Sequence, residues 1–350
     1  MSKSKDKISQ KQVLIGIGAL CVIVLGVFIG VYNFLKHNNV PITEDYYIYI
    51  NHDASYRDVV DSLKAHNCIV DSTFFNWLAH RKEYPKNIKP GRYKVVPNMS
   101  INTLLNNLRS GNQDPLKVVI GKFRSKDKMA QLLSRKLEFD SADFMSAIND
   151  EALLDTMGLT KETALALFIP NTYEVYWNVT PKDFLWRMYK EKESFWNKKN
   201  RRDKLEKMNL TEVEVMILAS IVDEETNKND EKPLVASVYL NRLRKGYLLQ
   251  ADPTVRFAVN DFSIRRVLRK HLRYDNPYNT YMYKGLPPGP ICIPSIASID
   301  AVLEDKQTKY MFFCAKEDFS GYHNFAEGHA EHVQNARKFQ KALNERKIFK

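Results

Sequence analysis

The first long apolar stretch of the chain carries no charge. Residues 13–32 read "VLIGIGALCVIVLGVFIGVY", twenty positions without an acid or a base. A helix of that length rises about 30 Å at ~1.5 Å per residue, which matches the hydrocarbon core of a bilayer. The pattern predicts one membrane-spanning helix, and we place the anchor at residues 13–35.

The charge beside this stretch predicts its orientation. The tail formed by residues 1–12 holds four lysines and one aspartate, namely Lys3, Lys5, Lys7, Lys11 and Asp6. A lysine excess marks the cytoplasmic side of a membrane helix. A cleaved signal peptide would have a shorter apolar core, of roughly 7–15 residues, and a small-residue cleavage site. We therefore expect an uncleaved single-pass anchor, with a cytoplasmic N-terminus and the rest of the chain outside.

A polar linker is followed by alternating strand and helix patterns over residues 45–115. The stretch "DYYIYI" is aromatic and β-branched, which favours a strand, and "YRDVVDSLKAHN" and "DSTFFNWLAHRK" have helical periodicity. A second strand follows the Pro-Gly turn of "KPGRYKVV". The next helix is expected to begin at Ser100 or Asn102 and to end at Gly111. These signals predict a small α+β module.

Residues 116–345 continue as a mixed α+β region, whose core we place at residues 155–345. The stretch "LKVVI" favours a strand, and helices are expected near Met129–Leu137 and Ser141–Ile148. "ALFIPNTYEVYWN" is expected to be extended or looped. A later helix begins at Pro181, with Phe184, Met188 and Phe195 on one face. The fold class is therefore α+β behind an N-terminal transmembrane helix.

Three adjacent acids end a helix that should be buried. Thr211 and Glu214 have the spacing of a capping box, and the helix that follows is apolar on nearly every side. It ends in Asp223, Glu224 and Glu225. The helix macrodipole, mutual repulsion and burial all raise a carboxyl pKa there.

Such a raised pKa suits a carboxylic acid that stays protonated near neutral pH and donates a proton. Glu225 shares a helical face with Leu218 and Ile221, and this spacing favours it among the three acids. The alternative is an acidic helix end that is solvated and has no role.

The segments after this helix combine aromatic rings with amides and hydroxyls. "EKPLVASVYLNRLRKG" predicts a helix with Pro233 near its start and Gly246 at its end. "LLQADPTVRF" places an amide, an acid and a hydroxyl around a proline, and "NPYNTYMYKGLPPGPICIPS" adds tyrosines and a rigid Pro-Gly loop. Rings beside amides and hydroxyls suit sugar faces and N-acetyl groups. Each segment alone would also fit ordinary turn chemistry.

Taken in order, these segments resemble one enzyme family. "LASIVDEET", "PLVASVYLNRLRKG", "LQADPTV", "YNTY", "GLPPGPI" and "YHNF" are similar to motifs of the endolytic murein transglycosylases, the YceG-like lytic transglycosylases. The "PGRYKV…LLNNLRSG" unit resembles the LysM-like module of that family, so the resemblance covers most of the chain.

The resemblance implies a lyase that cleaves the MurNAc-β-1,4-GlcNAc bond inside peptidoglycan strands, leaves 1,6-anhydro-MurNAc ends and limits strand length. Glu225 matches the catalytic glutamate of the family. The residues that would contact the glycan are Asn171, Thr172, Tyr173, Gln250, Asp252, Thr254, Tyr278, Asn279, Tyr281 and Asn324. The resemblance further implies a periplasmic catalytic domain on the bacterial inner membrane, and association with peptidoglycan synthases of the penicillin-binding class.

The chain departs from the family pattern at three places. Asp223 stands where the family has a glutamate, and Asn171 stands where it has an aspartate. Ile120 precedes Gly121 where the family has Glu-Gly. These departures leave Asp223 without an expected proton-transfer role, and Asn171 without an expected charge.

Two other functions remain open on the sequence. A lysozyme-type hydrolase would act on the same bond with water, and Asp252 would be its second carboxylate. A non-enzymatic, anchored wall-binding scaffold would leave Glu225 with a structural role.

Composition adds few constraints. The net charge of +12 suits an anionic polymer or a membrane surface, and the location outside the cytoplasm excludes nucleic acid. The cysteines form no CxxC pair, and single thiols are favoured over a Cys292–Cys314 bridge. His323, His329 and His332 match no zinc spacing, so we expect no metal and no cofactor.

Overall fold

The computed structural model describes residues 10–37, 40–69, 72–264 and 266–346. Lys3, Lys5 and Lys7, on which the orientation of the anchor was predicted, lie outside the described residues. The chain divides into two compact units. One is formed by Met1–Leu116 with Tyr176–Asn178, and the other by Lys117–Val175 with Val179–Lys350.

The N-terminal helix α1 spans Gln10–His37. Its segment Ile15–Tyr32 has a mean hydropathy of 2.6. Leu20, Leu25 and Phe28 are exposed, so protein does not cover this apolar surface. Apolar side chains without protein cover are stable in lipid rather than in water. The helix fits a single-pass membrane anchor, as the charge-free stretch predicted.

The rest of the first unit is a two-stranded sheet with helices. Strand β1 (Tyr46–Ile50) pairs antiparallel with β2 (Gly91–Val95), with Ile48 opposite Tyr93. The helices are α2 (Tyr56–Ala65), α3 (Ser72–Arg81) and α4 (Ile101–Ser110), with a 3-10 turn at Tyr84–Lys86. Helix α4 starts after a cap at Ser100 and ends at Gly111 with φ +76°, which confirms both predicted ends.

The core of this unit contains the apolar helical face that the sequence pattern predicted. Val59, Val60 and Leu63 of α2 are buried, as the helical periodicity predicted. They belong to one cluster with Phe75 and Leu104.

The first half of the second unit contains two strands and several short helices. Strands β3 (Leu116–Ile120) and β4 (Asn171–Val175) form a two-stranded sheet. Between them lie α5 (Lys126–Ser134), α6 (Ser141–Ile148), α7 (Glu151–Asp155) and a 3-10 turn at Ala164–Leu167. Helices α8 (Pro181–Trp196) and α9 (Arg201–Met208) follow. The buried end of α8 is Trp196 rather than the predicted Phe195, which is only half-buried.

The second half of this unit carries the acidic helix. The helices are α10 (Glu212–Glu225), α11 (Lys232–Arg244), α12 (Asp252–Val259), α13 (Arg269–Leu272), α14 (Ile296–Glu304) and α15 (His329–Glu345). Strands β5 (Phe312–Ala315) and β6 (His323–Ala326) form an antiparallel hairpin. Asp252 starts a helix, where the sequence suggested a turn.

Helix α10 lies at the centre of the second unit. Thr211 and Glu214 form the predicted capping box, and every residue from Val215 to Asp223 is buried. The helix packs against α11, α12 and α14. The loop before α14 runs along it, because the Ile291 backbone N–H donates to Ser220 Oγ at 3.0 Å. This packing leaves only the C-terminal end of α10 for chemistry.

Gly289 in that loop packs so closely against the backbone of Glu162 that a side chain would clash with it. A Cβ at this position would lie 2.0 Å from the carbonyl oxygen of Glu162. We predict that Gly289→Ala destabilises the protein by about 1–3 kcal/mol, a typical cost of overpacking. Gly121→Ala is the matched control, since nothing lies within 4 Å of its Cβ. Thermal unfolding of both variants in detergent measures the effect, and equal melting temperatures would contradict this close approach.

Candidate active site

The three acids at the end of α10 have different partners. Asp223 is only 7% exposed and accepts hydrogen bonds from Ser295 Oγ and Ser298 Oγ, each at 2.5 Å. Lys122 Nζ lies 3.0 Å from one of its oxygens, and Lys232 Nζ 3.1 Å from the other. Burial opposes its charge, but the two serine hydrogen bonds and Lys122 outweigh burial and hold the pKa of Asp223 well below its usual range.

Glu224 is also held as a carboxylate. Arg124 donates to both of its oxygens, at 3.0 and 2.8 Å, and Lys122 Nζ lies 2.9 Å away. Burial again opposes the charge, yet the hydrogen bonds from Arg124 and Lys122 lower the pKa of Glu224. Lys122 also donates to the backbone carbonyl of Asp223 at 2.9 Å, which satisfies a carbonyl at the end of the helix. Two of the three acids are therefore structural anions.

Glu225 lacks such a partner. Among the ion pairs of the described residues, none includes it. Its hydrogen bond comes from the Tyr239 hydroxyl of α11, at 2.5 Å. Burial raises the pKa of Glu225 to about 7, the charges of Asp252 and Glu224 add to this effect, and the Tyr239 hydrogen bond and Arg256 oppose it. Glu225 is therefore the acid of this group that holds its proton near neutral pH.

Glu225 lies in a cleft of about 270 Å³. The structure brings four of the sequence-predicted residues together there, namely Glu225, Gln250, Asp252 and Tyr281. The Tyr281 hydroxyl donates to Asp252 Oδ1 at 2.6 Å, so each cleft carboxyl is held by one tyrosine. Gln250 adopts a left-handed backbone with φ +53° and accepts from Arg242 Nη1 at 3.2 Å.

Sequence reasoning missed several residues of the same cleft. Tyr239 and Arg242 contribute from α11, and Phe313, Cys314, Ala315 and His323 contribute from the β5–β6 hairpin, along with Leu249 and His332. Tyr239 and Arg242 are three positions apart on α11, so they share one face of the helix, and that polar pair was a usable signal. The hairpin residues carry no comparable local signal.

Three other predicted glycan contacts lie elsewhere and have internal partners. Thr254 is fully buried and donates to the Ala251 carbonyl at 2.7 Å. Asn279 is also buried, and its amide donates to the carbonyls of Leu272 and Tyr274 at 3.1 and 2.8 Å. The ring of Tyr278 packs on Phe257 at 4.7 Å. These side chains hold the loops beside the cleft.

The remaining predicted contacts lie on strands. On β4, Asn171 accepts from the Thr172 backbone N–H at 2.8 Å, and the buried Tyr173 donates to the Ile169 carbonyl at 2.6 Å. On β6, Asn324 donates to Glu317 at 2.8 Å. None of these four side chains lines the cleft formed by the described residues.

The histidines and cysteines of this unit do not form a metal site in the described part of the chain. His323 bonds Glu231, and His332 stacks on Phe312 with ring centroids 5.2 Å apart. Within the described part of the chain, no group of three or more His, Cys, Asp or Glu residues is placed to hold a metal ion. Cys292 and Cys314 are free thiols.

Known relatives resemble the chain over most of its length. The family model described as "YceG-like family" matches residues 48–338. The endolytic murein transglycosylase of Bacillus subtilis (strain 168) is 24% identical over 309 residues, which covers 84% of each chain. The endolytic murein transglycosylase of Streptococcus pneumoniae serotype 2 (strain D39) is 24% identical over 318 residues, covering 81% of this chain and 57% of that protein.

A solved structure agrees with these matches. The 2.6 Å crystal structure of a YceG-like protein from Listeria monocytogenes is 26% identical in sequence, with a TM-score of 0.55. The similarity covers 83% of this chain and 99% of that one. Since the family model spans residues 48–338, the chain belongs to the YceG-like family.

Proposed function

We propose that this protein is a membrane-anchored, endolytic lytic transglycosylase of peptidoglycan. It cleaves the MurNAc-β-1,4-GlcNAc bond inside glycan strands, leaves 1,6-anhydro-MurNAc ends and limits strand length. The relatives named endolytic murein transglycosylase support the reaction class. The site assignment depends on one observation about Glu225. This residue lines an open cleft, and burial raises its pKa to about 7.

One carboxyl suffices for this reaction. Protonated Glu225 donates its proton to the glycosidic oxygen, and the C1–O bond breaks to give an oxocarbenium-like state. The resulting carboxylate accepts the proton of the MurNAc 6-hydroxyl, and O6 bonds to C1. The proton balance closes without water, and Tyr239 stabilises the transient carboxylate through its 2.5 Å hydrogen bond.

Asp223 and Glu224 are unsuited to this role because their pKa values are lowered and their oxygens face cations. Asp252 lines the cleft and accepts a hydrogen bond from the Tyr281 hydroxyl. A lysozyme-type hydrolase needs a second carboxylate to activate water. Because Asp252 lies in the cleft, hydrolysis is the second candidate reaction. The chemistry of the new chain end distinguishes hydrolysis from lytic transglycosylation.

The roles of the four segments of the chain are assigned from the family resemblance and the charge pattern. We propose that residues 1–12 are cytoplasmic, that residues 13–35 span the inner membrane and that residues 45–115 form a LysM-like glycan-binding module. Residues 116–345 form the periplasmic catalytic region, which we propose associates with peptidoglycan synthases. The apolar helix α1 supports the anchor.

Glu225→Gln tests the catalytic assignment. The change keeps size and hydrogen bonding but removes the titrating proton, and general acid–base catalysis is typically worth about 10²–10⁴-fold in rate. Because the same residue serves both half-steps, we expect a loss at or beyond the upper end. The measurement is strand cleavage on purified sacculi and nascent glycan, with melting temperature as the folding check.

Glu224→Gln is the matched control for that experiment. It removes a charge one position away, where the carboxylate bonds Arg124 and Lys122 rather than facing the cleft. We expect cleavage within about tenfold of wild type. A folded Glu225→Gln enzyme that cleaves as fast as this control would refute the assignment, and Asp252 would be tested next.

The pH profile gives a second test. Since Glu225 must be protonated to act as an acid and its pKa lies at about 7, kcat/KM should fall roughly tenfold per unit above that pH. Tyr239→Phe removes a hydrogen bond that lowers this pKa, so the descending limb should move to higher pH. Initial rates between about pH 5 and 9 measure both limbs. An identical limb in the two enzymes would argue against Glu225 as the titrating acid.

Asp223→Asn should damage the fold. The change removes the carboxylate that pairs with the buried ammonium of Lys232, and it leaves Lys122 with Glu224 alone. Breaking a buried ion pair from one side typically costs about 3–5 kcal/mol. Denaturant unfolding measures this loss, and a cost below about 1 kcal/mol would mean that the cations are satisfied in some other way.

The topology is testable with a reporter fused after Lys350. The lysine-rich tail predicts reporter activity outside the cytoplasm alone. The same fusion to a chain lacking residues 1–35 is the control and should remain in the cytoplasm. A cytoplasmic signal from the full-length fusion would overturn the proposed orientation.

A further inference from the structure

A buried carboxylate that the proposed mechanism does not use bonds one histidine of the cleft with both of its oxygens. Glu231, the residue before α11, is 3% exposed. One of its oxygens accepts the backbone N–H of His323 at 2.7 Å, and the other lies 2.8 Å from His323 Nδ1. Both oxygens of a buried acid therefore bond a single residue.

His323 is held tightly at the edge of the cleft. It is the first residue of β6, opposite Ala315 on β5. Its ring meets Phe313 edge-on at 5.2 Å, and Phe313 meets Tyr239 edge-on at 5.8 Å. The His323 side chain is 15% exposed and lines the same cleft as Glu225. The bonds to Glu231 and these ring contacts together restrict rotation of the imidazole.

In the neutral ring, this geometry selects one tautomer. A carboxylate only accepts hydrogen bonds, so the ring nitrogen that faces it must carry the proton. A neutral imidazole with its proton on Nδ1 has a free lone pair on Nε2. The carboxylate thus determines the hydrogen-bonding character of the other ring nitrogen, as second-layer carboxylates do for histidine ligands of metals.

Such a lone pair could accept a hydrogen bond from a glycan in the cleft. Tyr239 and Tyr281 already donate to the two cleft carboxyls, Glu225 and Asp252. Hydroxyls and acetamido N–H groups make a glycan rich in hydrogen-bond donors. A neutral acceptor on the hairpin side would bind such a donor without adding negative charge beside Glu225.

We infer that Glu231 and His323 form a dyad that presents Nε2 of His323 to the glycan as a hydrogen-bond acceptor for a hydroxyl or acetamido N–H. His323 is then a substrate-binding residue, and Glu231 is a positioning residue that acts through it. The inference rests on the proposed function for the identity of the ligand. The dyad's tautomer is a property of the protein alone and can be measured without substrate.

The first experiment measures the tautomer. The full-length protein, labelled with ¹⁵N-histidine and solubilised in detergent, is studied at mildly alkaline pH, where spectra distinguish both neutral tautomers from the doubly protonated ring. Long-range ¹H–¹⁵N spectra should show His323 protonated on Nδ1 and unprotonated on Nε2, with the signal assigned by its loss in His323→Asn. Glu231→Gln should invert this pattern, because the amide can donate to Nδ1 while its oxygen still accepts the backbone N–H.

The second experiment separates binding from folding. His323→Asn keeps a donor near the position of Nδ1 but has nothing near Nε2, whereas His323→Gln places an amide oxygen near Nε2 and loses the bond to Glu231. The Asn variant should therefore melt higher, and the Gln variant should cleave faster. We expect His323→Asn to lose about 10- to 100-fold in kcat/KM, mainly through KM. His329→Asn, at an exposed residue outside the cleft lining, is the matched control.

The outcomes are distinct. An Nε2-protonated ring in the wild type, or a tautomer that Glu231→Gln leaves unchanged, overturns the dyad whatever the enzyme cleaves. If the less stable of the Asn and Gln variants is also the less active, His323 is structural and the acceptor role is wrong. If the wild type cleaves no glycan while the tautomer is as expected, the proposed function fails and the dyad remains.

Discussion

The C-terminal end of α10, where we place the catalytic acid, depends on how its three adjacent carboxyl groups are neutralised. Two of them are matched by cations that come from other segments: Lys122 and Arg124 follow β3, and Lys232 starts α11. These ion pairs tie β3 and α11 to the end of α10, and Ser295 and Ser298 tie the start of α14 to the same point. The third, Glu225, is in no ion pair of the described residues, so its charged form is costly and its proton is retained.

The sequence alone could predict the helix but not the division of roles along its last turn. The capping box of Thr211 and Glu214 and the apolar run that follows are local signals, and both are confirmed. The pairing of Lys122 with Asp223 joins residues 101 positions apart, so no local pattern carries it. The expectation that all three acids raise one another's pKa therefore applies to Glu225 alone.

The cleft residues show the same limit. Gln250 and Asp252 were found because one short segment presents both side chains to the cleft. Thr254 and Asn279 belong to equally polar segments, but internal partners occupy their polar atoms. Burial requires polar groups to find partners, so a polar loop residue that binds glycan looks the same in sequence as one that binds its own backbone. His323 enters the cleft through hairpin pairing, which joins distant positions.

The central claim is that a single carboxyl, Glu225, serves as acid and then as base, with the sugar's own hydroxyl as nucleophile. The most direct test is mass spectrometry of the muropeptides released when the wild-type protein digests purified sacculi or nascent glycan. We expect new ends that are almost all 1,6-anhydro-MurNAc. New ends that are mainly reducing MurNAc, formed by water, would contradict it and assign Asp252 the second carboxylate role of a hydrolase.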